Sequence, residues 1–264
     1  MTTRKLTDSM VSTDPKTKLW KARFSAAKAA YSLGELKQCS RLLYSTLEQA
    51  SDLPESTFAT NTCLVAMAAV AIAQNDLNTA RTHLQKAIGK LGSSSEPALL
   101  ELLSVAYRFS AHVSLKEKRV EAAETEFKKA IEILTKLGGD GAVQLSYTLG
   151  ELAILYVTLD RLNEAKTLIS TSSQLMQGAM MDVDSAEYVR NTMIYHICES
   201  ADDEEKLAMV DDGISQMQYH RYKGHPGIKR AINWYIEKLE EKGAKQQAQD
   251  ARERYQAHLQ ASTK

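Results

Sequence analysis

The stretch VEAAETEFKKAIEILTKL, residues 120–137, decides the fold. Val120, Ala123, Phe127 and Ala130 stand at i, i+3, i+7 and i+10, one stripe of a helix with 3.6 residues per turn. The spacing returns 42 residues on, at Leu162, Ala165, Ile169 and Ser172. Each set sandwiches a bulky residue between two small ones. Twelve residues before each central Ala stands another, Ala111 and Ala153. A small residue lets two helix backbones approach closely, and the bulky one fills the space beside it. The stretch therefore reads as half of a helix–turn–helix unit in an array.

The small slot recurs at Cys39, Ala80, Ala123 and Ala165, at intervals of 41, 43 and 42. The partners twelve residues earlier are Ala27, Ala68, Ala111 and Ala153. The first pair starts near Lys18, carries Trp20, Phe24, Ala27 and Tyr31 on one side, turns at Gly34, and continues through Leu36, Cys39, Leu43 and Thr46. Ser51-Asp52-Leu53-Pro54 breaks the chain, since proline disfavours helix in the residue before it. A second pair covers about residues 55–91, turning at Asn75-Asp76, and a third about 97–137, with Pro97 in its first turn. Gly138-Gly139-Asp140-Gly141 separates the third pair from a fourth at about 142–177.

Composition agrees. Four prolines, 6% aromatic residues and 25% charged residues in 264 describe an all-α chain. Net charge is zero, so no global field recruits nucleic acid or an acidic membrane. Cys39, Cys63 and Cys198 form no CxxC pair and suit a reducing compartment. The N-terminal residues lack the apolar run of a signal peptide, and no segment reaches the length of a bilayer span, so a cytoplasmic protein without membrane insertion is expected. Residues 1–16 read as a disordered segment, 17–177 as four repeats, and 178–264 as degenerate helical repeats ending in a capping helix. In that last part the spacing points to Ala208 and Ala248, but the bulky slots hold Asp212 and Arg252, and His196 and Ile236 stand twelve residues earlier.

These residues resemble the tetratricopeptide repeat, with small residues at its eighth, twentieth and twenty-seventh positions and a bulky one at the twenty-fourth. The match is Ala27, Cys39, Thr46 and Leu43; Ala68, Ala80, Ala87 and Leu84; Ala111, Ala123, Ala130 and Phe127; and Ala153, Ala165, Ser172 and Ile169. The spacing near 42, with Leu91-Gly92 to Pro97 joining two repeats, is similar to the longer kinesin-light-chain subtype. The resemblance implies a right-handed α-α superhelix, a solenoid of about six helix–turn–helix repeats whose first helices line a concave groove for a protein or peptide partner. Its register implies Lys21, Phe24, Lys28, Tyr31, Arg108, His112, Tyr147 and Arg190 as groove residues, with Thr62, Val65, Ala69 and Ile72 as an apolar floor. An ordinary reading stands beside this one: the cations as solvated charges, and Phe24, Tyr31 and Tyr147 as packing. The carboxylate clamp of the family is not matched, because Phe24, Lys28, Ala66, Val105 and Phe109 occupy its positions.

Catalysis finds little support. The six histidines make no HxxxH or HExxH arrangement, and the glycine-rich residues 138–141 lack the GK[ST] of a phosphate loop. No metal or cofactor is expected. Two functions follow: a non-catalytic adaptor or scaffold binding a partner in the groove, or a structural subunit that oligomerises or docks in a larger complex through its C-terminal helices.

Overall fold

Asp14 opens the first helix, its carboxylate accepting the Thr17 amide at 2.8 Å and the Thr17 hydroxyl at 3.0 Å, with Pro15 at the first helical position. The helix thus begins three residues before the expected Lys18. The computed structural model describes residues 14–181, 186–199, 204–219 and 226–256; residues 1–13, most of the expected disordered segment, lie outside these. The helices in chain order are α1 (Pro15–Ser32), α2 (Leu36–Ala50), α3 (Ser56–Ala73), α4 (Leu77–Leu91), α5 (Pro97–Lys116) and α6 (Val120–Leu137). A 3-10 turn, Gly138–Gly141, precedes α7 (Ala142–Thr158) and α8 (Leu162–Gly178). Then come α9 (Ala186–Glu199), α10 (Glu204–Tyr219), α11 (Pro226–Glu241) and α12 (Lys245–Arg254). The described residues contain no strand.

Two compact units divide the chain, Met1–Gly141 and Ala142–Lys264. The boundary falls at the glycine-rich turn rather than near residue 177, so the fourth repeat heads the second unit. In the first unit α1/α2, α3/α4 and α5/α6 are hairpins, and α3 packs on α2 as α5 packs on α4. In the second, α7/α8, α9/α10 and α11/α12 are hairpins, with α9 packed on both α8 and α7.

The hairpin turn repeats as faithfully as the packing stripe. A residue in the left-handed region stands at Gly34, Asn75, Lys118, Asp160 and Gly243. After each, a backbone N–H reaches the carbonyl five residues earlier: Glu35 to Ala30 at 2.9 Å, Asp76 to Ala71 at 2.8 Å, Arg119 to Ser114 at 2.8 Å, Arg161 to Tyr156 at 2.9 Å and Ala244 to Leu239 at 2.9 Å. This closure satisfies carbonyls the ending helix leaves open and reverses the chain in three residues.

The stripe forms the interior. Ala80, Ala123, Ala165, Phe127 and Ile169 are fully buried, and Cys39, Leu43 and Leu84 nearly so. Ala27, Ala68, Ala111 and Ala153 face them from the first helices, also buried. Ala123→Leu is expected to destabilise by roughly 1–3 kcal/mol, since backbones held this close cannot separate to admit the added carbons. Urea denaturation followed by circular dichroism measures it, and an unshifted midpoint would reject the register.

In α10 the extrapolated register fails. Ala208 is exposed, and the buried side chains there are Leu207, Val210 and Ile214. Ala248 is buried as the spacing requires, and Tyr255 is fully buried, its hydroxyl within 3.1 Å of the Ser215 hydroxyl. The expected capping helix is α12, and residues 257–264 beyond it lie outside the described residues.

Candidate functional site

The first helices are far more buried than an open groove requires. Contrary to the expectation that no segment is long enough, α3 is long and apolar enough to cross a membrane, alone among the described helices, yet most of it lies inside the protein. Residues 61–71 are all buried, so Thr62, Val65 and Ala69 are closed off and only Ile72 of the expected floor is half-exposed. Ala68 in its close-approach slot explains this, because neighbours seated that near leave no open channel along an apolar helix. Residues 146–157 of α7 are likewise buried throughout, Tyr147 among them at 4% exposure.

Of the α1 candidates, Phe24 belongs to the interior. It is 1% exposed and stacked on Trp20, with centroids 5.2 Å apart and planes 8° from parallel. This corrects its assignment as a partner-facing residue. Lys21, Lys28 and Tyr31 stay half-exposed. Burial pushes the Tyr31 phenol above its usual value, and the nearby Cys39 thiol adds to the shift.

Arg190 is also corrected. It is 2% exposed, and its guanidinium lies 3.2 Å from the Glu151 carboxylate. Nε and Nη2 donate to the Asn191 side-chain oxygen at 3.3 and 3.1 Å. The Asn191 amide donates to the Ser172 hydroxyl at 2.7 Å, which donates to the Ser146 carbonyl at 2.6 Å. A Cβ at Gly150 would fall 2.2 Å from Arg190 Nη2, so only glycine admits the guanidinium. This network ties α9 to α7 and α8. A charge that is both buried and paired holds the fold and is not offered to a partner.

What remains is a cation–aromatic face on α5. After the buried run 102–106, Tyr107, Arg108, Phe109, Ser110 and His112 are all half-exposed. The Arg108 guanidinium carbon lies 5.8 Å from the Phe109 ring, and the ammonium of exposed Lys129 on α6 lies 5.5 Å from the Tyr107 ring. His112 meets Phe127 edge-on at 5.7 Å and Phe109 at 6.3 Å. Such rings restrain the long cationic side chains that lie against them. The repeat register names Arg108 and His112 as candidates. It does not name Tyr107 and Lys129, although the run Tyr107-Arg108-Phe109 already places a cation between two aromatics.

The thiols are poor nucleophiles. Burial pushes Cys63 up to about 12 and Cys198 up to about 11, the reverse of an activated cysteine. Among the described residues no three His, Cys, Asp or Glu side chains cluster as metal ligands. An open cleft of about 400 Å³ between α11 and α12 is walled by Asn233, Glu237, Gln249, Arg252 and Glu253 around Ile236, a largely buried side chain that is the one aliphatic residue of the lining.

No protein-family model and no curated protein matches the chain. Solved structures do. Aspartyl phosphate phosphatase F from Bacillus subtilis aligns over 99% of this chain and 64% of its own, with TM-score 0.71 and 15% identity. The apo form of RapI aligns over 96% of this chain and 85% of its own, with TM-score 0.70 and 14% identity. BtubC (BKLC) from P. vanneervenii covers 92% and 91%, with TM-score 0.53 and 15% identity. At such identities the likeness is one of fold, and with the recurring stripe and turn it makes this chain an all-helical repeat protein.

Proposed function

We propose that the chain is a non-catalytic interaction adaptor whose first unit holds a partner segment carrying acidic and hydrophobic residues. The observation that carries this reading is the α5 face, where half-buried Arg108 and exposed Lys129 lie against the half-buried rings of Phe109 and Tyr107. A planar guanidinium fixed on a ring meets a carboxylate with little further loss of rotamer freedom, and the ring edges accept an apolar neighbour. Because the helix is already ordered, the partner segment alone loses conformational entropy, which supports an affinity of roughly micromolar strength, about 8 kcal/mol. The helical-repeat fold supports a protein partner in general. The reading includes a cytoplasmic setting, which the three unpaired thiols suit.

Arg108→Glu combined with Lys129→Glu is expected to weaken capture of the wild-type chain's partner at least tenfold, about 1.4 kcal/mol. Quantitative pull-down at matched concentration measures it. Full retention by the double variant would remove this face from consideration.

The structural-subunit reading draws on apolar exposure in the second unit, Met180 at 93%, Met209 at 44% and Tyr195 at 37%. These lie on separate elements, and scattered single side chains are ordinary surface. The adaptor reading therefore leads.

A further inference from the structure

Besides its buried stripe, α1 carries a second one. Leu19, Ala22, Ala26, Ala29 and Leu33 follow each other at three, four, three and four residues, the spacing of a coiled-coil seam. All five are exposed, Leu19 at 49% and Leu33 at 72%. The repeat itself supplies the comparison. Forty-one residues on, Ala22, Ala26 and Ala29 correspond to Cys63, Met67 and Val70 of α3, all buried. A further 43 on, they correspond to Ala106, Ser110 and Val113 of α5, with Ala106 and Val113 buried and Ser110 half-buried. α3 and α5 each pack on the second helix of the hairpin before them. No described helix precedes α1, so it presents to solvent a face that the repeat buries elsewhere.

Charge selects the occupant. α1 carries Lys16, Lys18, Lys21, Arg23 and Lys28 and no carboxylate, in a chain whose net charge is zero. By helical geometry Lys18 borders the exposed seam on one side and Lys16 and Arg23 on the other. A second copy of α1 laid along the seam would set cations against cations. The last helix of another copy fits no better, since α12 exposes Gln246, Gln249, Asp250, Arg252 and Glu253. We propose that the outer face of α1 is a second docking surface, taking an acidic amphipathic helix of another protein along the seam from Leu19 to Leu33. Central alanines let the two backbones approach closely, the end leucines cover the incoming helix, and carboxylates beside its apolar stripe pair with the exposed Lys18 and Lys16, while Arg23 reaches Ser45 on α2 at 3.4 Å.

The test uses the full chain and two synthetic helical peptides with the same Leu/Ala seam, one flanked by Glu and the other by Lys. Fluorescence anisotropy is expected to show binding of the Glu-flanked peptide only, weakening as salt rises. Ala26→Glu should reduce that binding at least tenfold with an unchanged circular dichroism spectrum and melting curve, the site being exposed. Arg108→Glu should leave it unaltered, which separates this surface from the α5 face. Equal binding of both peptides, absence of binding by the Glu-flanked one, insensitivity to Ala26→Glu or loss in Arg108→Glu would each overturn the proposal. So would a dimer in light scattering that Ala26→Glu dissociates, which would make a second copy the occupant.

Discussion

Phe127→Ala is expected to lower the unfolding free energy by about 3–5 kcal/mol, against an ordinary domain stability of about 5–15 kcal/mol. Phe127 has no exposed surface, and its ring takes the edge of His112 from α5. The surroundings cannot collapse into the space it leaves, because Ala123, Ala130 and Ala111, all fully buried, already hold the α5 and α6 backbones close. Urea unfolding followed by circular dichroism gives the size, and amide exchange gives the place. Protection should fall first in α5 and α6, because a repeat array couples mainly to its nearest neighbours. Phe127→Leu should cost clearly less, since it refills most of the cavity. A Phe127→Ala protein melting like the wild type would mean that the stripe at residues 120–130 is not the interior of the hairpin.

The stripe was legible because close approach leaves a compositional trace: an alanine set between larger residues, again and again at helical spacing, marks where two backbones meet. Turns left less. Gly34, Asn75 and Asp160 are recognisable left-handed residues, but Lys118 occupies the same conformation with an ordinary side chain, and neither Lys118 nor Asp160 stands in a glycine- or proline-marked break. Those two turns are found from the repeat period, not from turn propensity. Exposure was the least legible property. Lys21 and Arg190 look alike in a register, yet one is half-exposed and the other buried, and the difference lies in Glu151 and Gly150, some 40 residues away. An isolated glycine inside the apolar run of α7 was the one local hint that something must approach its backbone. The register of α10 was lost for a related reason: Leu207, Val210 and Ile214 make a stripe without a small slot, so the alternation that marks the earlier repeats is missing there.

Glu151→Ala is expected to destabilise the second unit by about 3–5 kcal/mol, the usual consequence of leaving a buried charge without its partner. Arg190 side-chain exposure is 3% and that of Glu151 is 11%, so water replaces the lost carboxylate poorly. The remaining partner, the Asn191 oxygen, already accepts from two guanidinium nitrogens, while the Asn191 amide holds Ser172 and through it the Ser146 carbonyl. Loss of the ion pair therefore loosens α9 from α7 and α8 together. The control is the double variant Glu151→Ala with Arg190→Met. If the cost comes from an uncompensated charge, removing the guanidinium recovers most of it, and chemical denaturation should show a coupling energy of at least about 1 kcal/mol between the two sites. Additive losses would instead mean that Arg190 is not committed to Glu151 and reaches solvent. In that case it returns to the set of cations available to a partner, and the boundary between scaffold and binding surface in the second unit moves inward by one helix.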